Sequence, residues 1–392
     1  MPADLTLLRP DGHASAHLAQ RDGGLDSAAH SASFAEVTRR YGTDREIVDF
    51  CIPTNSYFPT PGMLDQLARD LPKLLKYYPS DAGATTKKLA GVLGLNPQTV
   101  AMANGSTELI TWIDHLLVTE SIAVPVPTFG RWTDQPLETG KRVDMFPLRE
   151  ADDFALDVDA YVQFIRDRGS RVAVICQPNN PDGGYVFRER MVRMLDELRD
   201  LDLVVVDESF IDFVDAEPER SVAAEAAIRS NVIVLKSLGK NFGLHGIRFG
   251  YMVANPALTE KIARALPKWN LNALAEAVVG MLADHTTDYD RSLERSADDR
   301  DHMTAELSKL PGFRVFPTST NFALVRLPAG WSGPALRDYL VAEHGVYIRE
   351  CGNKLGLTSD FVRLVVRPAQ DVERLVAGLL AYGQRAEGPA GR

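Results

Sequence analysis

The chain between about residue 45 and residue 266 alternates short apolar runs with stretches whose apolar residues recur at helical spacing. Unbroken apolar runs are typical of strands that are buried on both faces of a parallel sheet. The pattern therefore predicts an α/β fold, with helices on both faces of a mostly parallel central sheet. Strands are expected at 47–52, 100–103, 121–126, 142–147, 171–176, 202–206, 231–235 and 247–253, and helices at about 63–76, 82–93, 107–117, 158–167, 187–199 and 257–267.

After Leu266 the pattern changes to long helical stretches over roughly 270–310, followed by short strands separated by helices. Such a mixture predicts a second, smaller α+β domain. We expect an N-terminal arm over 1–45, a large domain over 46–268 and a small domain over 269–392, with part of the N-terminal segment packed on the small domain.

The composition narrows the function classes. The 392 residues carry a formal charge of −10, and this acidic balance argues against a nucleic-acid-binding protein. No apolar run is long enough to span a membrane, and the N-terminus lacks the basic and apolar blocks of a secretory signal. Three widely spaced cysteines show no disulfide or metal-binding pattern, so we expect a cytoplasmic protein without a bound metal.

The stretch 232–251 carries the strongest chemical signal. An apolar run leads into a polar turn that contains Ser237 and Lys240, and Arg248 follows. A lysine at the mouth of a buried strand is poorly hydrated, which lowers its pKa and leaves an amine that can attack a carbonyl. A nearby arginine and serine form a seat for a phosphate. We therefore hypothesise that Lys240 forms a Schiff base with pyridoxal 5′-phosphate (PLP). The plain alternative is a solvated turn lysine.

Three further strand ends carry residues that would suit the same cofactor. Asp207 follows four apolar residues, and its buried carboxylate would need a cationic partner such as the protonated pyridine nitrogen of PLP. Asn180 would donate a hydrogen bond to the 3′-oxygen of the ring, and Phe129 would stack on the ring face. Each residue also has a plain explanation, namely a surface acid or helix cap, a turn asparagine, and core packing.

The predicted strand 100–103 leads into Ser106 and Thr107 at the start of a predicted helix. Backbone N–H groups at a helix N-terminus bind phosphate, so these two residues are expected at the phosphate site. An ordinary capped helix, with Ser106 as the N-cap, is the alternative.

Taken together, these segments resemble the fold-type I PLP enzymes of the class I/II aminotransferase superfamily. Within that superfamily the chain is most similar to histidinol-phosphate aminotransferases and threonine-phosphate decarboxylase-like proteins. The resemblance covers nearly all of residues 45–385. It is carried by NGSTELI (104–110), PTFG (127–130), PNNPDGG (178–184), VVDESFIDF (205–213), KSLGKNFGLHGIRFGY (236–251) and FVRLVVR (361–367).

The resemblance implies a PLP-dependent transferase of fold type I that acts as a homodimer on small-molecule substrates, namely an amino acid and a 2-oxo acid. Lys240 would hold the cofactor and later move the α-proton as a base. The implied cofactor contacts are Ser106, Thr107, Phe129, Asn180, Asp207, Ser237 and Arg248, together with Tyr78, which would reach the phosphate of the neighbouring subunit.

On the substrate side, the resemblance implies that Arg363 binds the α-carboxylate through a bidentate pair. Arg349 and Arg367 are rivals for that carboxylate or for a second anionic group. Further substrate contacts are expected from Asn180, from the loop 53–61 with its Tyr57, and from Trp132, His245 and Asn321.

Two residues depart from the aminotransferase pattern. Phe210 stands where aminotransferases usually have a tyrosine that donates to the 3′-oxygen, and Gly239 replaces a serine that often precedes the lysine. The segments DESFIDF (207–213) and IRECGN (348–353) are closer to the decarboxylase relatives. Transamination is the first prediction. The alternatives are α-decarboxylation, elimination or replacement at the β- or γ-carbon, and, in another class, a non-catalytic PLP-binding module.

Overall fold

The structure, a computed structural model, describes residues 33–42 and 46–387. Most of the predicted arm therefore lies outside the described residues. The described part contains the strands β1 (Val48–Phe50), β2 (Val100–Ala103), β3 (Ser121–Val126), β4 (Arg142–Pro147), β5 (Val172–Cys176), β6 (Leu203–Asp207), β7 (Val232–Lys236), β8 (Gly250–Val253), β9 (Arg314–Val315), β10 (Phe322–Arg326), β11 (Val346–Glu350) and β12 (Phe361–Val365).

The helices of the described part enclose these strands. They are α1 (Phe34–Tyr41), α2 (Pro61–Lys76), α3 (Ala82–Val92), α4 (Ser106–Leu117), α5 (Arg131–Glu138), α6 (Val158–Arg168), α7 (Arg188–Glu197), α8 (Ala223–Ile228), α9 (Leu238–Asn241), α10 (Pro256–Ala263), α11 (Ala273–Met281), α12 (Thr286–Ser308), α13 (Gly333–Tyr339) and α14 (Ala369–Glu387). The hydrophobic pattern does not predict α1, which lies inside the predicted arm.

Seven strands form the larger sheet in the order β2-β8-β7-β6-β5-β3-β4. Only β8 runs against its neighbours, and the strands from β7 to β4 pair in parallel. Successive residues of β6 belong to two different core clusters, Val204 and Val206 to one and Leu203 and Val205 to the other. Because successive residues of a strand point to opposite faces, helices must cover both faces. The predicted α/β fold is confirmed.

Five strands form the smaller sheet in the order β1-β11-β12-β10-β9. The strand β1 pairs in parallel with β11, and the other pairs are antiparallel. The helices α12 and α14 contact each other, and their buried residues share one core with this sheet. The smaller unit therefore combines β1, which precedes the larger sheet along the chain, with strands and helices that follow it. The predicted domain boundaries stay predictions.

The predicted strand over 247–253 is wrong in its first residues. Ile247 ends a 3-10 turn and Arg248 takes a left-handed φ of 57°, so β8 begins only at Gly250. Because β8 runs against its neighbours, its first residue lies at the edge where the parallel strands end. Arg248 is thereby placed at the same edge as the residues that follow β6 and β7, which is where ligands bind in open α/β sheets.

Candidate active site

Lys240 lies in α9, one short turn beyond the end of β7. Its Nζ atom is 4.2 Å from the ring centroid of Phe210 and 5.4 Å from that of Phe129. Burial lowers the pKa of Lys240 to about 8, and the positive charge of Arg363 adds to this effect while Asp207 opposes it. About a tenth of the amine is therefore neutral at pH 7, far more than for an ordinary lysine, as a nucleophilic lysine requires.

Asp207 ends β6, and only 4% of its surface is exposed. One carboxylate oxygen accepts a hydrogen bond from Trp132 Nε1 at 2.9 Å. The other accepts from the backbone N–H and the hydroxyl of Ser209, at 3.1 Å and 2.5 Å. Three donors from the protein fix the orientation of this buried carboxylate, so it is held ready for a cationic partner.

The start of α4 forms a cradle with Arg248. The N-cap of α4 is Gly105, with φ 83° and no side-chain hydrogen bond to cap the helix. A Cβ atom at Gly105 would lie 2.7 Å from Arg248 Nη2, so the guanidinium group occupies the space beside the helix N-terminus. Ser106 and Ser237 are both buried, with 8% of their surfaces exposed. Uncapped N–H groups, two hydroxyls and an arginine are the chemistry that binds a phosphate.

The residues present fit pyridoxal 5′-phosphate. A partly neutral amine is available at Lys240, a fixed carboxylate at Asp207, and a cradle of helix N-terminus and guanidinium at Arg248. Phe129 lies close enough to Lys240 to flank a ring attached there. The structure thus brings together the residues for which the sequence predicts a shared cofactor, with Tyr78 as the exception within one chain.

Tyr78 is 85% exposed, and its ring lies 5.3 Å from that of Trp269. This exposed position agrees with a residue that serves a neighbouring subunit, and the role of Tyr78 stays a prediction.

Asn180 and Arg363 meet next to the candidate cofactor site. Arg363 Nη1 donates to Asn180 Oδ1 at 2.7 Å, and Nη2 donates to the carbonyl of Cys51 at 2.6 Å. Within the described part of the chain, Arg363 Nε has no hydrogen-bond partner although it is buried. Because Asn180 accepts through its oxygen, its amide N–H groups stay free to donate to a ligand.

Arg349 stands directly opposite Arg363 across the β11–β12 pair. Arg349 Nη1 donates to the carbonyl of Glu350 at 2.6 Å, and Nη2 donates to Asn353 Oδ1 at 2.8 Å. The partly buried Lys354 follows in the next loop. Burial, together with the charges of Arg363 and Arg349, lowers the pKa of Lys354 to about 8. Three cationic side chains therefore share one region beside the site.

The loop 53–61 connects this site to α12. The backbone N–H of Asn55 donates to the carbonyl of Lys240 at 3.2 Å, and the Asn55 side chain donates to Ser292 Oγ at 2.7 Å. The hydroxyl of Tyr57 donates to Asp299, and Arg295 lies 3.7 Å from the centroid of the Tyr57 ring. Tyr57 is thus held by α12, and its predicted contact with substrate stays a prediction.

The remaining candidates have protein partners of their own. His245 Nε2 lies 2.8 Å from the carbonyl of Pro53, and burial lowers the pKa of His245 to about 4, so its ring is neutral. Arg367 pairs with Asp371 one helical turn away at 3.0 Å. Asn321 donates to the carbonyl of Thr54 at 3.1 Å. Of the two rivals to Arg363, Arg367 has a carboxylate partner, whereas Arg349 forms no salt bridge with any residue that the structure describes.

Sequence reasoning misassigns Trp132 and overlooks Lys236. Trp132 was predicted to contact substrate, but only 1% of its surface is exposed and its indole supports Asp207. Lys236 is buried with its Nζ atom 2.9 Å from Glu208. The available signal was the charged residue at the end of an otherwise apolar strand, because a buried charge needs a partner.

No helix in the described residues is long and apolar enough to cross a membrane. Comparison with known proteins then identifies the family. The family model for aminotransferase class I and II matches residues 45–379.

Among similar proteins, L-serine phosphate decarboxylase of Sulfurospirillum multivorans is 27% identical over 365 residues, which is 90% of this chain and 93% of that protein. CMP-5′-(3-aminopropyl)phosphonate synthase of Streptomyces rubellomurinus is 32% identical over 354 residues, covering 90% of this chain and 54% of that protein.

The solved structure of a decarboxylase from Sulfurospirillum multivorans superimposes with a TM-score of 0.83 at 27% identity, over 94% of this chain and 95% of the other. The chain therefore belongs to the aminotransferase class I and II family, and its cofactor is pyridoxal 5′-phosphate.

Proposed function

We propose that this protein is a PLP-dependent α-decarboxylase of an amino acid whose side chain carries a phosphate-like anion. The observation that carries the proposal is the pair of buried arginines, Arg349 and Arg363, which are direct cross-strand partners and form no salt bridge with any described residue. The sequence alone favours transamination. The similarity to an L-serine phosphate decarboxylase favours decarboxylation instead.

The two arginines are unusual among the buried cations of the described chain. The others, Lys236, Arg300 and Arg337, each form a salt bridge with an acidic residue. Within the same described residues, no salt bridge involves Arg349 or Arg363. A buried charge without a counter-charge costs several kcal/mol. A ligand that supplies negative charges would offset this free-energy cost.

The strand register makes the cost larger. Arg349 and Arg363 are direct cross-strand partners, and like charges at such positions are destabilising. Lys354 adds a third cation, whose pKa is already lowered by burial and by the two arginines. An α-carboxylate alone brings one negative charge, whereas a phosphorylated amino acid brings about three at neutral pH. The cluster matches the second kind of ligand better.

Each cation then has a role. Arg363 binds the α-carboxylate, because it contacts Asn180, which lies at the candidate cofactor site. Arg349 and Lys354, farther along the same cluster, bind the phosphate-like group of the side chain. The names of the L-serine phosphate decarboxylase and of the CMP-5′-(3-aminopropyl)phosphonate synthase both contain a phosphate or phosphonate, which supports an anionic group on the substrate.

When bound, PLP withdraws electrons from the α-carbon of the amino acid and so weakens the bonds to that carbon. The residues of this chain decide which bond is cleaved. Arg363 is fixed from two sides by Asn180 and the Cys51 carbonyl, so it can hold the carboxylate in one orientation. The carboxylate leaves as carbon dioxide, and Lys240 Nζ, with its pKa near 8, delivers a proton to the α-carbon.

Water would compete with this proton transfer if it entered freely. Phe210 and Phe129 flank Lys240 Nζ and present apolar rings to it. Phe210 is itself packed edge-on against Phe322 at 4.9 Å. The amine is therefore shielded on its aromatic side, which keeps its pKa low and its proton directed toward the ligand.

The test is to incubate the purified holoenzyme with O-phospho-L-serine and, separately, with L-serine, each with and without 2-oxoglutarate. We expect carbon dioxide and an amine from the phosphorylated substrate alone, independent of the 2-oxo acid. Glutamate formation would instead identify transamination, and ammonia would identify elimination. An unchanged visible spectrum with every amino acid would identify a binding module. Any of these three results would overturn the proposal.

Variants connect the activity to the arginine pair. Arg349→Gln should raise the KM for the phosphorylated substrate by about 10- to 100-fold, the value of one charge-assisted interaction of about 1.5–3 kcal/mol. Arg326→Gln is the matched control, because Arg326 lies on β10 of the same sheet with its side chain 48% exposed and paired with Glu150. Equal effects of the two variants would contradict the assignment.

The proposal includes a homodimer. The exposed residues Leu64, Leu71 and Leu75 of α2 recur at helical spacing, and the exposed Tyr78 and Trp269 continue this apolar surface. Apolar patches of this kind mark protein interfaces. Leu75→Glu should produce monomers in light scattering, whereas Leu380→Glu, at an exposed position on α14, should not. A wild-type protein that is already monomeric would exclude the dimer.

A further inference from the structure

A buried group of charges lies directly behind the candidate cofactor site. Lys236 is 6% exposed and Glu208 is fully buried, and their charged atoms are 2.9 Å apart. Asp212 lies 3.7 Å from Lys236 Nζ on another side. Glu208 also accepts hydrogen bonds from the Ser221 hydroxyl at 2.5 Å and the Val222 N–H at 2.7 Å. We call Lys236, Glu208 and Asp212 the charge triad.

The charge triad is attached to the candidate cofactor residues through the backbone. Glu208 follows Asp207, and Lys236 precedes Ser237. The two strand ends that present these residues, β6 and β7, are neighbours in the sheet. The ion pair therefore fixes the distance between the predicted ring acid and the predicted phosphate ligand, at the point where both strands end.

Asp212 extends the same connection to Lys240. Its Oδ2 atom accepts a hydrogen bond from Asn241 Nδ2 at 2.8 Å, and Asn241 is the residue after Lys240. It also accepts from the hydroxyl of Tyr289 in α12 at 2.7 Å. Two members of the charge triad are therefore direct sequence neighbours of predicted cofactor ligands. The third, Asp212, is hydrogen-bonded to the residue that follows Lys240.

Lys236 stays charged in this setting. Burial opposes its charge, but Glu208 and Asp212 together raise its pKa above the ordinary value for lysine. The triad then carries one positive and two negative charges, a net charge of −1. Without Lys236 the same region would carry −2. Because Lys236 and Glu208 are buried, water screens a change of charge at either of them only weakly.

We propose that Lys236 is a positioning residue that holds the strand ends of the site together and sets the charge on which the Lys240 nitrogen depends. This role does not depend on which reaction follows, so it stands or falls separately from the proposed decarboxylation. It also differs from ordinary core stabilisation, because it predicts that the sign of the charge, and not only the packing, affects Lys240.

Both lysines are surrounded by titratable and charged groups that affect their pKa values. Lys236 faces Glu208, Asp212 and Tyr251, and Lys240 faces Asp207, Arg363, Cys176, Arg248 and His245. In the native triad the negative members exceed the positive one by one charge. Loss of Lys236 removes a positive charge and leaves the triad with a net charge of −2. This more negative triad stabilises the protonated form of the Lys240 nitrogen and raises its pKa.

The experiment titrates the visible absorption of the holoenzyme with pH. In Lys236→Met the pH midpoint should rise by about half to one unit, the size expected for one uncompensated charge near a partly buried group. Lys236→Arg keeps the charge and should leave the midpoint unchanged. Lys236→Met combined with Glu208→Gln restores the net charge of −1 and should return the midpoint to the wild-type value. Thermal unfolding is measured for each variant to confirm that it is folded.

The double variant distinguishes electrostatics from simple stabilisation. If the ion pair only supported the fold, removing both partners would leave the midpoint as disturbed as the single change does. Should Lys236→Met fail to fold, Glu208→Gln alone gives the reverse test, because it removes negative charge and should lower the midpoint. An unchanged midpoint in folded Lys236→Met, or in folded Glu208→Gln, would refute the proposal.

Discussion

A methyl group at Gly105 should weaken PLP binding through Arg248. The Cβ atom of Gly105→Ala would lie 2.7 Å from Arg248 Nη2 and 3.2 Å from its Cζ atom. Both distances are shorter than van der Waals contact, so the guanidinium group has to move away from the N-terminus of α4. A hydrogen bond from a charged group contributes about 1.5–3 kcal/mol, and its loss corresponds to a roughly 10- to 100-fold higher Kd.

The same substitution also strains the backbone, and this effect needs a control. Gly105 has φ 83° and ψ 161°, a conformation that costs a residue with a side chain about 1–3 kcal/mol. Gly42 has nearly the same backbone, φ 87° and ψ 165°, and a Cβ atom there would meet nothing within 4 Å. Gly42→Ala therefore introduces the same backbone strain without a contact to an arginine.

The assay titrates the apo forms of both variants and the wild type with PLP and follows the visible absorption. Thermal unfolding of the apo proteins measures the strain separately. We expect both variants to lose thermal stability and only Gly105→Ala to lose affinity for PLP. Equal PLP affinities for Gly105→Ala and Gly42→Ala would show that Arg248 does not hold the phosphate, and the cradle would have to be assigned elsewhere.

Two further predictions concern Lys240 and its aromatic neighbour. The rate of PLP uptake by the apo protein should increase with pH up to about 8 and then level off, because burial lowers the pKa of Lys240 and only the neutral amine reacts. A rate that still climbs toward the ordinary lysine pKa of 10.5 in a stopped-flow pH series would contradict this environment. Phe210→Tyr places a hydroxyl beside the Lys240 amine, which lies 4.2 Å from the ring centroid. A donor to the 3′-oxygen should lower the pH midpoint of the cofactor's visible absorption, and an unchanged midpoint would count against it.

Central strands of the larger sheet, such as β5, could be predicted because they are apolar without interruption. In β5 and β6 every residue is buried, so no polar residue breaks the runs that define these strands. Asp207 could be placed at the end of β6 because it is the first polar residue after this apolar run. The same reasoning fails at Arg248, because Ile247 and Phe249 on both sides are buried and imitate a continuous strand. The left-handed φ of Arg248 depends on contacts that a linear pattern does not contain.

The arginine pair shows a second limit. The family resemblance assigns Arg363 to the α-carboxylate, and it leaves Arg349 and Arg367 as rivals for that carboxylate or for a second anionic group. Only the register of β11 against β12 shows that Arg349 and Arg363 are direct neighbours. Register in an antiparallel pair is decided by turns and packing outside the strands themselves. The charge triad was missed for a similar reason, because Lys236 ends β7 whereas Glu208 and Asp212 lie in the segment that follows β6.

The strand β1 gives the smaller sheet an unusual dependence on distant residues. Val48, Asp49 and Phe50 pair with β11, although about 300 residues of chain separate them. Expressed by itself, the segment that begins at α11 would leave the β11 edge without a partner, and unpaired edges promote aggregation. A deletion reaching residue 50 would expose the same edge in the otherwise whole chain. Gene fragments and truncations intended for crystallisation or biosensors must therefore keep both ends of this sheet in one polypeptide.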